Sequence, residues 1–227
     1  MDPEKRLARI AGSLYLVVAV LGGFAELYVR SRIVVPGDAA ATADNIRDSA
    51  TLFRLGFASD LMQATFFLFT AMALYLLLRH VNELVARAMV VIVAVSVAII
   101  SLNLLNQYMA LQIATSEGSD ALAGLFADMH AAGYLIAQVF FGLWLLPLGY
   151  LVYRSGLFPR AIGVLLTIGC FGYLADTFVQ FLARSIAESI EPFVVAPAAV
   201  GELSLVVWLL VKGVRVVERR APAPAFG

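Results

Sequence analysis

The sequence has few of the residues that soluble enzymes and nucleic-acid-binding proteins use. Only 14% of its 227 residues are charged, and it contains one cysteine and two histidines. Acidic and basic side chains number 16 each, so the chain has no net positive charge to attract nucleic acid. The single cysteine, Cys170, excludes an internal disulfide. We therefore expect no nucleic-acid partner and no disulfide framework.

Motifs that carry well-known chemistry are also missing. The sequence contains neither HExxH nor GxSxG, and it has no Walker-type phosphate loop. His80 follows the second long apolar stretch and His130 precedes the fourth, which places them at opposite faces of a membrane. Two such histidines cannot hold one haem between them. We predict no cofactor, and we do not expect haem.

Apolar residues are abundant, at 62% of the chain, whereas soluble domains contain about 45–50%. A helix of about 20 apolar residues spans the hydrocarbon core of a bilayer. Six stretches are long enough: 10–28, 55–78, 88–113, 131–153, 161–181 and 193–211. We predict an all-α fold, a polytopic membrane protein with six transmembrane helices in one bundle. The bundle forms a single domain over residues 1–227, of which 218–227 is a disordered tail.

The basic residues predict how the spans are oriented. Most Lys and Arg residues flank the span ends on the side of the N-terminus, and the loop Ser116–Asp128 carries none. Because positive residues are retained on the cytoplasmic side, we predict that both termini are cytoplasmic. We expect a multi-pass protein of the bacterial inner (cytoplasmic) membrane, with the lipid bilayer as its partner.

Two connections between spans are long enough to form structure of their own. Ala39–Thr51 is rich in alanine, and Ala183–Glu191 carries Arg184 and Glu188 at a spacing of i, i+4. We predict a short interfacial helix in each segment, with an ion pair in the second. The alternative is a solvated amphipathic connector in both places.

The stretch Phe140–Arg160 combines glycine, proline and tryptophan with a long apolar run. Gly142 and Gly149 fall on one helical stripe, which allows a neighbouring helix to approach closely. Pro147 removes a backbone hydrogen bond, so we predict a kink in the cytoplasmic half of this span. Trp144 lies too deep to anchor at the interface, and we predict that it packs against other helices.

Five of the predicted spans carry a polar side chain at the same depth. At 1.5 Å per residue, these side chains lie about 24–26 Å above the inner headgroups. They are Glu26, Gln63, Asn103, Gln138 and Asp176. The sixth span contributes Glu202, about 15 Å above the inner headgroups and near the middle of the bilayer. Polar groups at such depth are costly in hydrocarbon, so they indicate where function should be sought.

Helical spacing places these residues on stripes with further polar neighbours. His130, Tyr134 and Gln138 follow one another at i, i+4 and i+8, and Asp60 precedes Gln63 by one turn. Such stripes face protein or a water-filled cleft rather than lipid. We predict an outward-facing, mostly acidic pocket that binds or passes a small solute or ion. Its predicted ligand-binding residues are Glu26, Asp60, Gln63, Asn103, His130, Gln138, Asp176 and Glu202. The alternative is a hydrogen-bond network that only fixes the register of the helices.

Two charged residues near this layer have open roles. Glu202 is expected either to be a neutral acid or to pair with a partner such as Asn103. Its role is either that of a proton or cation carrier or that of a structural acid. Arg54 lies six residues before Asp60. It either forms an ion pair with an acid of the pocket or anchors its helix in the headgroups.

Other classes of function stay open. Asp128 and His130 supply two potential metal ligands, and Asp60 or Asp176 is a candidate for the third. A catalytic zinc site generally uses three protein ligands. This pattern indicates a membrane-embedded, metal-dependent enzyme as one alternative. A structural or accessory subunit without a ligand is another. A homo-oligomer is also compatible with the sequence, because six helices can form half of a dimeric permeation unit.

Several passages together resemble a known family. The longest is HAAGYLIAQVFFGLWLLPLGYLVYRSGLFPRAIGVLL, and GYLAD follows it at Gly172–Asp176. The others are TLFRLGFASDL at Thr51–Leu61, ALYLLLRHVN at Ala73–Asn82 and GELSLVVWLLVKG at Gly201–Gly213. In this order they resemble a bacterial membrane family known only as domain of unknown function 4386. The resemblance implies an integral membrane protein with six helices, and it implies no activity or binding residues.

Overall fold

The computed structural model describes residues 3–116 and 118–215, except for the side chains of residues 184, 188 and 191. This part of the chain is helical and contains no strand. Six helices are long and apolar enough to span a bilayer: Pro3–Ile33, Ala50–Leu78, Glu83–Thr115, Asp120–Ser155, Arg160–Leu182 and Pro192–Val211. All six predicted spans are confirmed, and the chain is a multi-pass membrane protein. The predicted tail, 218–227, lies outside the described residues.

The six spans alternate in direction through one bundle. We call the end of the bundle at which Pro3 and Val211 lie the terminal end. The opposite end, which holds the short helix Ala39–Asp48, is the distal end. The prediction that the distal end faces the outside rests on the positive-inside pattern alone.

The connections at the distal end differ from one another. Ala39–Asp48 is a helix, as predicted, and the Asp38 side chain caps it by accepting a hydrogen bond from Ala41 N at 2.9 Å. Hydrogen bonds from Arg47 to Asp120, at 2.7 Å, and to Asp44 hold the pKa of Arg47 above its ordinary value. These contacts fasten the short helix to the start of the fourth span.

The second predicted interfacial helix does not exist as a separate element. The backbone of residues 184–191 forms the first turns of one helix that runs from Arg184 to Val211. This helix continues through Pro192 and Pro197, because neighbouring helices in a membrane bundle support the backbone groups that a proline leaves free. The predicted ion pair between residues 184 and 188 lies outside the described side chains.

The fourth span is broken at Trp144. It consists of the helices Asp120–Leu143 and Leu145–Ser155, with a turn at Trp144 between them. Pro147 cannot donate a hydrogen bond to the carbonyl of Leu143, four residues before it, so the ladder is interrupted at this point. The interruption falls in the part of the span for which a kink was predicted, and Trp144 is fully buried, as expected of a packing residue.

Small residues set the seam between the fourth and fifth spans. A Cβ atom on Gly149 would lie 2.8 Å from Gly163 O, and one on Gly142 would lie 2.6 Å from Tyr173 Cβ. The two glycines therefore face the same neighbouring helix, which confirms the predicted stripe.

The two larger hydrophobic clusters of the described residues lie at different heights in the bundle. The larger cluster fills the terminal half and includes Phe67, Trp144 and Leu148. A smaller one at the distal end includes Ile46 and Phe53. The polar residues of the predicted layer lie between the two clusters, so the fold brings them into one region of the protein.

Candidate functional site

The first and last spans touch near the terminal end and separate toward the distal end. A Cβ atom on Gly12 would lie 2.8 Å from Leu209 Cβ, so the two helices are in close contact there. Beyond this contact a cavity of about 580 Å³ lies between them. Exposed residues of its wall, such as Ala19, Leu27 and Ala199, belong to these two spans. The cavity therefore opens between the first and last helices, on the side where lipid surrounds the bundle.

The wall of this large cavity is mostly apolar, with a few polar groups. Its apolar residues include Val18, Ile100, Ala137, Phe141, Val195 and Val206. Its polar residues are Tyr15, Glu26, Gln63, Tyr134, Gln138, Tyr173 and Glu202. Of the described residues, no Lys, Arg or His side chain lines it. The cavity thus combines hydrocarbon surface with hydrogen-bonding groups and two carboxylates.

Glu202 is held at the floor of the large cavity by two phenol groups. Tyr15 donates a hydrogen bond to Glu202 Oε2, and Tyr173 donates one to Glu202 Oε1 at 3.2 Å. The suggested partner Asn103 is wrong, because that residue makes its hydrogen bonds to His130 instead. Helical periodicity on the sixth span could not reveal that tyrosines of the first and fifth spans approach Glu202.

Five aromatic rings form a continuous layer at the floor of the cavity. Neighbouring ring centroids lie 5.0–5.6 Å apart. In order of contact the rings are Tyr15, Trp144, Phe67, Phe141 and Tyr173. Trp144 and Phe67 are fully buried, so the layer closes the cavity toward the terminal end.

Arg30 is the residue at this site that the sequence analysis missed. Its Nη1 lies 2.5 Å from Asp60 Oδ2, and its Nε donates to Glu26 Oε2 at 2.7 Å. The Arg30 side chain is only 12% exposed, and its guanidinium lies 5.4 Å from the centroid of the Tyr134 ring. The i, i+4 spacing of Glu26 and Arg30 is the signal in the sequence that points to this ion pair. Arg54, the arginine considered for this ion pair, is exposed, in agreement with the anchoring alternative.

Local backbone geometry contributes to the position of Arg30. The first span changes from an α-helix to a π-helix over Phe24–Arg30. A π-helical turn contains more residues than an α-helical one, so it rotates the side chains that follow, and such turns are frequent at functional sites. Glu26 and Arg30 both belong to this turn; Glu26 borders two cavities and Arg30 one of them.

A second, smaller cavity of about 230 Å³ lies at the distal end. Arg30, Glu26, Gln107 and His130 line it together with Phe53 and other apolar residues. His130 Nε2 and both amide atoms of Gln107 are buried without a hydrogen-bond partner in the described part of the protein. Glu26 lines both cavities. The small cavity has room for several water molecules.

Asn103 and His130 form a contact between the third and fourth spans. Asn103 Nδ2 donates to the His130 carbonyl oxygen at 2.8 Å, and it lies 3.3 Å from His130 Nδ1. Asn103 Oδ1 accepts a hydrogen bond from Asn106 at 2.9 Å. A Cβ atom on Gly133 would overlap the Asn103 side chain, so the glycine makes room for it. This pairing fixes the register of two helices, as the alternative interpretation of the polar layer proposed.

The predicted ligand-binding residues therefore do not all meet in one pocket. Four of them line the large cavity: Glu26, Gln63, Gln138 and Glu202. His130 lines the small cavity. The other three, Asp60, Asn103 and Asp176, are buried against partners, and Asp176 accepts a hydrogen bond from Gln138 at 2.7 Å. These residues lie at equal depth in the sequence-based prediction. Depth alone therefore did not show that they are divided between two cavities and several buried contacts.

The metal-dependent alternative relied on His130 with nearby acids. Within residues 3–116 and 118–215, no group of three or more His, Cys, Asp and Glu side chains is arranged to hold a metal ion. Asp60 is occupied by Arg30, and Asp176 is hydrogen-bonded to Gln138. The structure thus does not bring the suggested ligands together.

Comparisons with known proteins agree with the resemblance seen in the sequence. Residues 10–213 match a family described as a domain of unknown function (DUF4386). An uncharacterized protein of the archaeon Archaeoglobus fulgidus is 30% identical to this chain over 148 residues, which cover 65% of this chain and 77% of that protein. No solved structure matches significantly. The function is therefore argued from the geometry of the site.

Proposed function

We propose that this protein, which belongs to the domain of unknown function (DUF4386) family, binds a small organic solute in the large cavity between its first and last spans. The observation that carries the proposal is the cavity of about 580 Å³ with Glu202 at its floor. Pockets for small molecules measure about 300–1,000 Å³, and they combine apolar walls with a few polar groups. The large cavity has this size and composition.

An unpartnered polar atom supports binding over a purely structural role. Gln63 is buried and lines the large cavity, and its Oε1 has no hydrogen-bond partner among the described residues. Buried polar atoms in proteins are nearly always paired, and a network that only fixed helix register would satisfy them. The Asn103 side chain, which donates to the His130 carbonyl oxygen and accepts from Asn106, is an example of such a satisfied group. A rotation of the Gln63 side chain toward the large cavity would bring its Oε1 within reach of a bound solute.

The aromatic layer favours a binding site over an open pore. Trp144 and Phe67 close the floor of the cavity, so in this conformation a solute enters and leaves through the opening between the first and last spans, on the distal side of the aromatic layer. Passage through the membrane would require a second conformation in which the layer separates. By the positive-inside pattern, we place the distal side outside a cytoplasmic membrane.

Cysteine labelling tests whether the large cavity admits solutes. In a Cys170→Ala background, Val206→Cys places a thiol in the cavity wall at a position that is only 3% exposed. Val93→Cys is the matched control, because Val93 lies in the core with no exposure. A small water-soluble thiol reagent is expected to modify the Val206→Cys variant and to spare the Val93→Cys variant. Equal protection of both thiols would contradict the proposal.

A further inference from the structure

We infer that the solute of the large cavity is a small lipophilic amine, bound as its cation with Glu202 as counter-ion. This inference rests on the proposed function and specifies the class of ligand. It is carried by the charge balance of the cavity, by its hydrogen-bonding groups and by its aromatic wall.

The first argument concerns charge. Both carboxylate oxygens of Glu202 accept a hydrogen bond from a tyrosine hydroxyl, an arrangement that suits an ionised, acceptor-only carboxylate. Of the described residues, no basic side chain lines the cavity. A buried charge is stable only when it is both hydrogen-bonded and paired with an opposite charge. The tyrosines provide the hydrogen bonds, and a cationic ligand would provide the charge.

The nearest arginine is not available for this role. Arg30 is held by two acids, with Nη1 2.5 Å from Asp60 and Nη2 2.5 Å from Glu26. This group of three side chains carries two negative charges and one positive charge. Glu26 also lines the large cavity, so Arg30 leaves the surroundings of the cavity acidic. Such a field attracts a cation and repels an organic anion.

The second argument concerns hydrogen bonds. An ammonium group offers only donors, and it therefore needs acceptors around it. Gln63, whose Oε1 is a buried acceptor with no partner among the described residues, lines the same cavity as Glu202. A carboxylate or phosphate ligand would bring further acceptors beside Glu202 and Gln63 Oε1, which have no proton to donate to it. The polar groups of the wall thus match an amine.

The third argument concerns the aromatic and apolar wall. The rings of Tyr15, Tyr134, Phe141 and Tyr173 line the cavity. Aromatic rings attract cations through their quadrupole, and this attraction grows when the site excludes water. The remaining wall is hydrocarbon, and the opening lies between two lipid-exposed helices. A cation with an apolar body fits these surroundings better than a hydrated metal ion.

A matched pair of probes tests the charge of the ligand. We would titrate 4-phenylbutylamine, which is a cation at neutral pH, and 4-phenylbutanol, its neutral analogue, into the protein in lipid nanodiscs. The amine is expected to bind roughly 10-fold or more tightly than the alcohol, because desolvated charge pairs discriminate strongly. Glu202→Gln should abolish this preference while the alcohol still binds, which shows that the variant is folded. Glu83→Gln, which removes an exposed carboxylate beside Arg87 at the membrane surface, should leave the preference unchanged.

The outcomes separate the amine inference from the proposed function. Equal binding of amine and alcohol to the unmodified protein would overturn the amine inference and leave the binding cavity in place. Binding of neither probe to a cavity whose Val206→Cys thiol is labelled would also overturn the amine inference alone. A Val206→Cys thiol that resists labelling would overturn the proposed function as well. An amine preference that survives in Glu202→Gln would show that Glu202 is not the counter-ion.

Discussion

Arg30 and Asp60 form a nearly buried ion pair between the first and second spans, with Arg30 Nη1 2.5 Å from Asp60 Oδ2. The Asp60 side chain is 3% exposed and that of Arg30 is 12% exposed. Glu26, one turn before Arg30, completes the group and borders both cavities. The pair therefore links the distal end of the first span to the wall of the large cavity.

Removal of one partner of this ion pair should destabilise the protein. Asp60→Asn keeps the shape of the side chain but leaves Arg30 with only the exposed carboxylate of Glu26. Loss of one partner from a buried pair costs about 3–5 kcal/mol, and here we expect the lower end because Arg30 keeps Glu26. Thermal unfolding in detergent or nanodiscs measures the effect. Arg54→Gln, which alters an exposed arginine, is the control and should change the midpoint little. A stable Asp60→Asn variant would contradict the assigned role of the pair.

The fold was predictable because each span carries its own signal. Hydropathy predicts each helix from its own residues, and Pro147 predicts a kink from the hydrogen bond that it cannot make. The stripe of Gly142 and Gly149 likewise depends on one helix. Residues 184–191 were predicted as an element separate from the last span, whereas they form one helix with it, which continues through Pro192 because membrane helices tolerate proline.

The site was only partly predictable because its contacts join different helices. The depth of Glu202 followed from counting residues along the sixth span, but its partners Tyr15 and Tyr173 belong to the first and fifth. Depth gives a height in the membrane and no direction around the bundle. Gln63 and Asn103 therefore looked equivalent in the sequence, although one lines the large cavity and the other is buried against His130.

Gly133 should be intolerant of even one added methyl group. In Gly133→Ala the new Cβ atom would overlap Asn103, which is held by His130 and Asn106 and has little freedom to move. We expect a loss of about 1–3 kcal/mol, as for other overpacked sites, with a corresponding fall in the unfolding temperature. Gly23→Ala is the matched control, since nothing lies within 4 Å of its added Cβ. Equal stability of the two variants would show that Asn103 moves freely.

Loss of one phenol hydroxyl should remove one of the two hydrogen bonds to Glu202 and lower the stability of the protein, while the cavity still binds the amine. Tyr173→Phe removes the hydrogen bond to Oε1 and leaves the one from Tyr15 to Oε2. Hydrogen bonds to charged groups contribute about 1.5–3 kcal/mol, so the variant should unfold at a lower temperature. Addition of 4-phenylbutylamine should restore part of this loss, because bound ligand stabilises the folded state. Tyr108→Phe, at an exposed tyrosine, provides the control. An unchanged unfolding temperature would contradict the assigned hydrogen bond.

The contact at Gly12 should control how far the cavity opens. Gly12→Val would place a branched side chain against Leu209 and Leu210, where a Cβ atom alone would already lie 2.8 Å from Leu209 Cβ. The first and last spans must then move apart at the terminal end, at a cost of about 1–3 kcal/mol. We expect faster modification of Val206→Cys in this background, because the cavity wall widens. Ser13→Val adds the same side chain at an exposed position and should leave the labelling rate unchanged. Slower or unchanged labelling in Gly12→Val would show that the contact at Gly12 does not limit how far the cavity opens.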